Sequence, residues 1–118
     1  MADVTVYFNP NCSKCRASKE LLEEHGVDAS YVRYLDDAPS REQLEQVMAL
    51  LAIDDPRAMM RTGEPRYKEL GLTAVTSKDE LLDALAANPI LIERPIVIKG
   101  DRAVIARPPE RLLELLQD

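Results

Sequence analysis

The run Val4-Thr5-Val6-Tyr7-Phe8 is rich in β-branched and aromatic residues, and the turn formers Asn9-Pro10-Asn11 stop it at once. A helical pattern follows from about Ser13 to His25, with Leu21 and Leu22 inward and Gly26 at the usual C-terminal stop. Ala29 to Leu35, rich in Tyr and Val, predicts a second strand. A strand, a crossover helix and a second strand make a βαβ unit, which requires parallel pairing and a right-handed connection. The junction between the first strand and its helix reads Asn9-Pro10-Asn11-Cys12-Ser13-Lys14-Cys15-Arg16.

A helical section comes next. Ser40 with Gln43 is a capping-box pattern, and Leu44, Val47, Met48 and Leu51 share one helical face. Asp55-Pro56 reads as an N-cap and first residue of a short helix carrying Arg57 and Arg61. Gly63-Glu64-Pro65 breaks it, and a short piece with Tyr67 and Leu70 ends at Gly71. Ser77 with Glu80 predicts a second capping box ahead of Leu81, Leu82 and Leu85. Residues 38 to 88 are therefore expected to be helical, without a strand. Strand signals return at Ile96-Val97-Ile98 and Ala103-Val104-Ile105, with Gly100-Asp101 suited to a two-residue hairpin turn. Pro108-Pro109 then leads into a helix containing Leu112, Leu113, Leu115 and Leu116. The order is that of an α/β, thioredoxin-like fold. The expectation is one domain over residues 1–118, with a mixed four-stranded sheet and a helical insert at about 38–88, between the βαβ unit and the C-terminal hairpin and helix.

Composition narrows the chemistry. A chain of 118 residues with 46% hydrophobic content has enough core to fold without disulfide staples. No apolar run approaches the ~20 residues needed to span a bilayer, so no membrane role is expected. Met-Ala-Asp-Val-Thr-Val lacks the basic and apolar regions of an export signal, which points to the cytoplasm, where thiols stay reduced. A net charge of −6 argues against direct nucleic-acid binding. With two cysteines and one histidine, His25, in the chain, no metal site is expected. His25 reads as a polar C-terminal residue of the first helix, and Tyr7, Tyr31 and Tyr34 as strand packing.

At a helix N-terminus the backbone N–H groups and the dipole favour an anion, so Cys12 is expected to be a thiolate nucleophile. Lys14 and Arg16 are expected to act in the same direction. Cys15, one turn on, either resolves an intermediate formed on Cys12 or begins the buried face of the helix and never reacts. In a thioredoxin-like fold a proline at the place of Pro95 is typically cis and faces the nucleophile, a state of only ~5–6% of X-Pro bonds in folded proteins. Arg94 would then stand beside Cys12, while Arg107 follows the second hairpin strand and Arg61 comes from the insert.

Together these blocks resemble the glutaredoxin-coupled arsenate reductases of the thioredoxin-like superfamily, over essentially the full length. The matching pieces are Tyr7-x-Asn9-Pro10-x-Cys12, Arg57-x-x-x-Arg61, Asn88-Pro89 with Glu93-Arg94-Pro95-Ile96-Val97, and Ala106-Arg107-Pro108. The resemblance implies a nucleophilic cysteine at Cys12 and oxyanion-binding arginines at Arg61, Arg94 and Arg107, with Asn9 and a cis Pro95 shaping the site. Guanidinium forks suit a tetrahedral oxyanion such as arsenate. The implied reaction forms a Cys12–arsenic adduct, which glutathione attacks while glutaredoxin accepts the mixed disulfide and arsenite departs. Glutathione is thus a co-substrate, and no bound cofactor is implied.

Two positions depart from the family pattern. Phe8 stands where members often carry a histidine near the cysteine, and Cys15 where many have serine. A serine would hydrogen-bond the Cys12 sulfur, whereas a cysteine is able to close a disulfide. Two other functions fit parts of the pattern: a Spx-type redox regulator binding RNA polymerase, and a generic C-x-x-C thiol–disulfide reductase.

Overall fold

The computed structural model describes residues 4–116, so the first three residues of the segment read above for an export signal lie outside it. The chain divides into two compact units, one made of Met1–Asp37 with Arg94–Asp118 and the other of Ala38–Glu93.

The first unit carries a four-stranded sheet in the order β2-β1-β3-β4. Its strands are β1 (Val4–Phe8), β2 (Ala29–Arg33), β3 (Ile96–Lys99) and β4 (Arg102–Ile105). β1 pairs parallel with β2, Val6 opposite Tyr31, and antiparallel with β3, Val6 opposite Val97. β3 and β4 form a hairpin in which Lys99 pairs with Arg102 across Gly100 and Asp101, and Gly100 takes the positive φ (61°) that such a turn requires. This is the thioredoxin-like arrangement. β2 ends at Arg33 rather than at the expected Leu35. The amides of Asp36 and Asp37 fold back onto the Arg33 carbonyl, at 3.0 and 2.8 Å, and start a turn there.

Helix α1 (Ser13–Glu24) crosses between β1 and β2 and buries Cys15, Ser18 and Leu22 on one face. Its end is a Schellman motif: Val27 donates to the Leu22 carbonyl at 2.9 Å and Gly26 to Glu23 at 3.0 Å, with Gly26 at φ 69°. His25 Nδ1 lies 2.9 Å from the Leu21 carbonyl. The buried face of α1 joins Val4, Val6, Phe8, Val97, Val104, Leu112 and Leu115 in one core. Leu112 closes a 3-10 turn (Pro109–Leu112) that runs into a single α-helical turn (Leu113–Leu116), so the expected final helix is split in character.

The second unit is helical, as its sequence predicts. Its helices are α2 (Arg41–Leu51), α3 (Pro65–Glu69) and α4 (Lys78–Ala87), with short 3-10 turns between them. The Ser40–Gln43 capping box is closed in both directions, at 3.1 and 2.8 Å. At Ser77 only the forward half forms among the described residues: its hydroxyl accepts from the Glu80 amide at 3.3 Å. α2 packs against α4, and Arg41 ties the two through Asp79 and Asp83 of α4 while also pairing with Glu45 one turn along its own helix.

The expected helix carrying both Arg57 and Arg61 is instead a 3-10 turn, Pro56–Met59, and Arg61 lies beyond it. The chain extends at Met60 to form an isolated antiparallel bridge with Ile92, and Arg61 donates its amide to Leu91 at 2.7 Å. That bridge carries the unit past residue 88 to Glu93, whose amide reaches the Met59 carbonyl at 2.9 Å. Arg57 fastens the loops: it donates to the Tyr67 hydroxyl at 2.9 Å, to the Leu72 carbonyl at 2.7 Å and to the Val75 carbonyl.

Two stability predictions follow from these environments. Arg57→Ala strands a hydroxyl and two carbonyls, and is expected to cost about 2–4 kcal/mol, read as a lower urea midpoint. Ser18 is fully buried and its hydroxyl has no hydrogen-bond partner among the described residues. Ser18→Ala removes that unmet group and improves helix propensity, so the urea midpoint should rise by the equivalent of about 0.5–1 kcal/mol.

Candidate active site

The sheet register brings the candidate residues to one end of the first unit. Tyr7, near the end of β1, pairs with Ile96 at the start of β3, and Ile96 pairs with Ile105 at the end of β4. The loop leaving β1, the segment entering β3 and the segment leaving β4 therefore meet at the same edge. They carry Cys12, Arg94-Pro95 and Arg107-Pro108.

Asn9 shapes the first of these segments. Its side-chain carbonyl accepts from the Asn11 amide at 2.9 Å, and its backbone carbonyl accepts from the Cys12 amide at 3.0 Å. This Asx turn within a β-turn delivers Cys12 in extended conformation (φ −99°, ψ 124°) as the N-cap of α1. Both Arg94-Pro95 and Arg107-Pro108 are cis. Pro95 is buried, and its carbonyl accepts from the Ala106 amide at 3.0 Å, which extends the hairpin pairing to the site. Arg107 Nη1 donates to the Arg94 carbonyl at 3.1 Å.

Cys12 is only 7% exposed, and burial alone would push its pKa up. Stabilisation of the thiolate outweighs this. The Cys15 amide and the Cys15 thiol face the sulfur, followed by the charge of Arg94 and the Lys14 amide, and the net shift is downward. The cysteine stands at the N-cap, so what the helix offers the anion is its converging amides.

Of the two neighbours expected to favour the thiolate, Lys14 does so through its backbone N–H, and the Arg16 guanidinium donates to the Pro10 carbonyl at 3.3 Å. Arg94 brings a side-chain charge that favours the Cys12 thiolate.

Cys15 is fully buried, and both cysteines are free thiols. Burial, first, and then the hydrogen bond and charge of Cys12 push the Cys15 thiol up to about 12, against the opposing Asn9 amide and Arg94 charge. Cys15 therefore stays protonated and donates to Cys12, the position a serine hydroxyl would take. Phe8 gives no base: its ring is buried and packs edge-on against Tyr31, with centroids 5.5 Å apart. Arg61 lies in the second unit, where its guanidinium pairs with Glu64 at 3.0 Å. Among the described residues, no three His, Cys, Asp or Glu side chains come together as a metal site.

The direction of the two shifts fixes a pH experiment. Alkylation by iodoacetamide follows the thiolate fraction, so the Cys12 rate should reach half its plateau at a lower pH than an unstructured peptide cysteine in the same buffer. Cys15→Ala and Arg94→Ala each remove a group that favours the thiolate, so each should move that midpoint upward. An unshifted wild-type midpoint contradicts the described electrostatics.

The ArsC family model matches residues 7–115, a span that contains Cys12, Cys15, Arg61, Arg94 and Arg107. An arsenate reductase from Haemophilus influenzae is 46% identical over 114 residues, covering 96% of this chain and 98% of that protein. One from Neisseria meningitidis serogroup A is 41% identical over 117 residues, covering 98% and 100%. Among solved structures, an arsenate reductase from Vibrio cholerae superposes with a TM-score of 0.92 at 44% identity, over 97% of this chain and 98% of that one. With a family match over nearly its whole length, the chain belongs to the ArsC family.

Proposed function

We propose that the protein is an arsenate reductase that works through a Cys12–arsenic adduct and draws its electrons from glutathione and glutaredoxin. The observation that carries this reading is a thiolate-favouring Cys12 set among helix amides and the charge of Arg94, with Arg107 bound to the Arg94 carbonyl. The names of the Haemophilus influenzae and Vibrio cholerae relatives support the same substrate.

The chemistry follows from these groups. The Cys12 thiolate attacks arsenic, an S–As bond forms, and an arsenate oxygen leaves as water. The guanidinium of Arg94 holds the thiolate ionised before the attack and binds arsenate oxygens during it, so one cation serves both needs. Arg107 is the second oxyanion ligand in this reading. Arg61 enters as the third from the family resemblance alone. A second thiol then supplies the electron pair that takes arsenic to arsenite, and glutathione with glutaredoxin restores the reduced enzyme. Such a cycle needs free cysteines, which assigns it to the cytoplasm.

The decisive assay couples NADPH oxidation to glutathione, glutathione reductase and glutaredoxin. Arsenate-dependent turnover is expected in the wild type and none in Cys12→Ser; absence of the first, or full activity in the second, ends the proposal. Arg94→Ala and Arg107→Ala are each expected to lower kcat/KM for arsenate at least about tenfold, equivalent to about 1.4 kcal/mol of transition-state stabilisation. Arg61→Ala tests the inherited third position on the same scale.

A further inference from the structure

We propose that Cys15 is the second thiol of the reaction, attacking the Cys12 sulfur of the arsenic adduct and releasing arsenite as a Cys12–Cys15 disulfide closes. This inference rests on the reading of the chain as an arsenate reductase and goes beyond it by assigning the electron donor to the protein itself.

The geometry comes from the first turn of α1. Cys12 is the N-cap and Cys15 the third helical residue, and both side chains belong to one buried core. Residues three apart on a helix have Cβ atoms about 5–6 Å apart, and a disulfide draws its Cβ atoms to about 3.5–4.5 Å. The remaining approach falls to Cys12, which stands at the N-cap in extended conformation (φ −99°, ψ 124°) and not inside the helix. Cys15 is also sealed: it is 0% exposed against 7% for Cys12, so the sulfur in its reach is that of Cys12.

The electrostatics impose an order on the two nucleophiles. Besides burial, what keeps Cys15 protonated is Cys12 itself, through its hydrogen bond and its negative charge. Attack on arsenate converts the Cys12 thiolate into a neutral thioester-like sulfur bound to arsenic, and both of those contributions disappear. The Asn9 amide and the Arg94 charge, which favour the Cys15 thiolate, remain. Burial still opposes ionisation of Cys15, but the opposition that came from the Cys12 thiolate is lifted once Cys12 carries arsenic.

The step balances without an outside reductant. The Cys15 proton passes to an oxygen on arsenic, and the Cys15 sulfur bonds to the Cys12 sulfur. The Cys12 S–As bond breaks with its electron pair left on arsenic. Arsenic falls from the arsenate to the arsenite state, and two thiols become one disulfide. Since water left in the first step, arsenate plus two thiols gives arsenite, a disulfide and water. Glutathione then opens the disulfide at the more accessible Cys12 sulfur.

The test is a single turnover. Reduced wild-type protein, freed of small thiols under anaerobic conditions, is mixed with arsenate; arsenite and intact mass are measured after denaturation. One arsenite per chain is expected, with loss of two hydrogen atoms and protection of both cysteines from alkylation. Cys15→Ser should give no arsenite above the enzyme-free blank until glutathione is added, while arsenate still protects its Cys12 from alkylation. If the wild type makes no arsenite without glutathione yet turns over with glutathione and glutaredoxin, the Cys15 assignment is overturned and the arsenate reading stands. A Cys15→Ser burst equal to that of the wild type overturns it too. If no arsenite forms under either condition, both fall together.

Discussion

Everything at the candidate site depends on β1 being paired on both sides with opposite polarity. The parallel partner β2 obliges the chain to cross over through α1, which leaves a helix N-terminus at the end of β1. The antiparallel partner β3 begins at that same end, and the tight β3–β4 hairpin returns the chain there once more. Three segments distant in sequence thus meet without a long loop. Helix amides, the Arg94 charge and Arg107 all arrive where Cys12 sits because the strand register leaves them nowhere else to go.

Within that setting the cysteine pair divides its labour by environment. Burial opposes ionisation of both sulfurs, yet only Cys12 has two amides, a thiol donor and a guanidinium to offset it. Cys15 faces the resulting negative charge from a sealed position and remains a thiol. The two are interdependent: the proton on Cys15 stabilises the anion on Cys12, and that anion keeps the proton on Cys15. With Phe8 packed on Tyr31 rather than a histidine beside the sulfur, what favours the Cys12 thiolate is its amides, the Cys15 thiol and the Arg94 charge.

The local elements were largely legible because their signals are short-range. Gly26, Ser40 with Gln43, and Gly100 each act through their own backbone or a neighbour within one turn, and each is found in the role its residue type dictates. The misreadings share a different origin. Leu35 has strand propensity, but amides further on claim the Arg33 carbonyl first. Arg61 follows Arg57 at helical spacing, but a bridge to Ile92, far along the chain, extends the backbone there. α2 ends at Ala52 in the left-handed region (φ 59°), where no glycine marks the stop. Arg57, quoted only as part of a family block, proves to be the fastener of its unit through acceptors that sequence spacing does not connect.

What the sequence alone determined is the chemistry and its local stage: a strand, an Asx turn, a cysteine at a helix N-terminus and a second cysteine one turn away. These follow from propensity, capping and periodicity, which act over a few residues. Which cation reaches the sulfur was decided only by tertiary structure. Lys14 and Arg16 are adjacent in sequence, but a helix directs its side chains outward from its own axis, and Arg16 goes to Pro10. Arg94 is distant in sequence, but strand pairing carries it to the same end of the sheet, and its charge favours the Cys12 thiolate. The burial that sets Cys12 and Cys15 apart is likewise a property of the packed core and not of either residue.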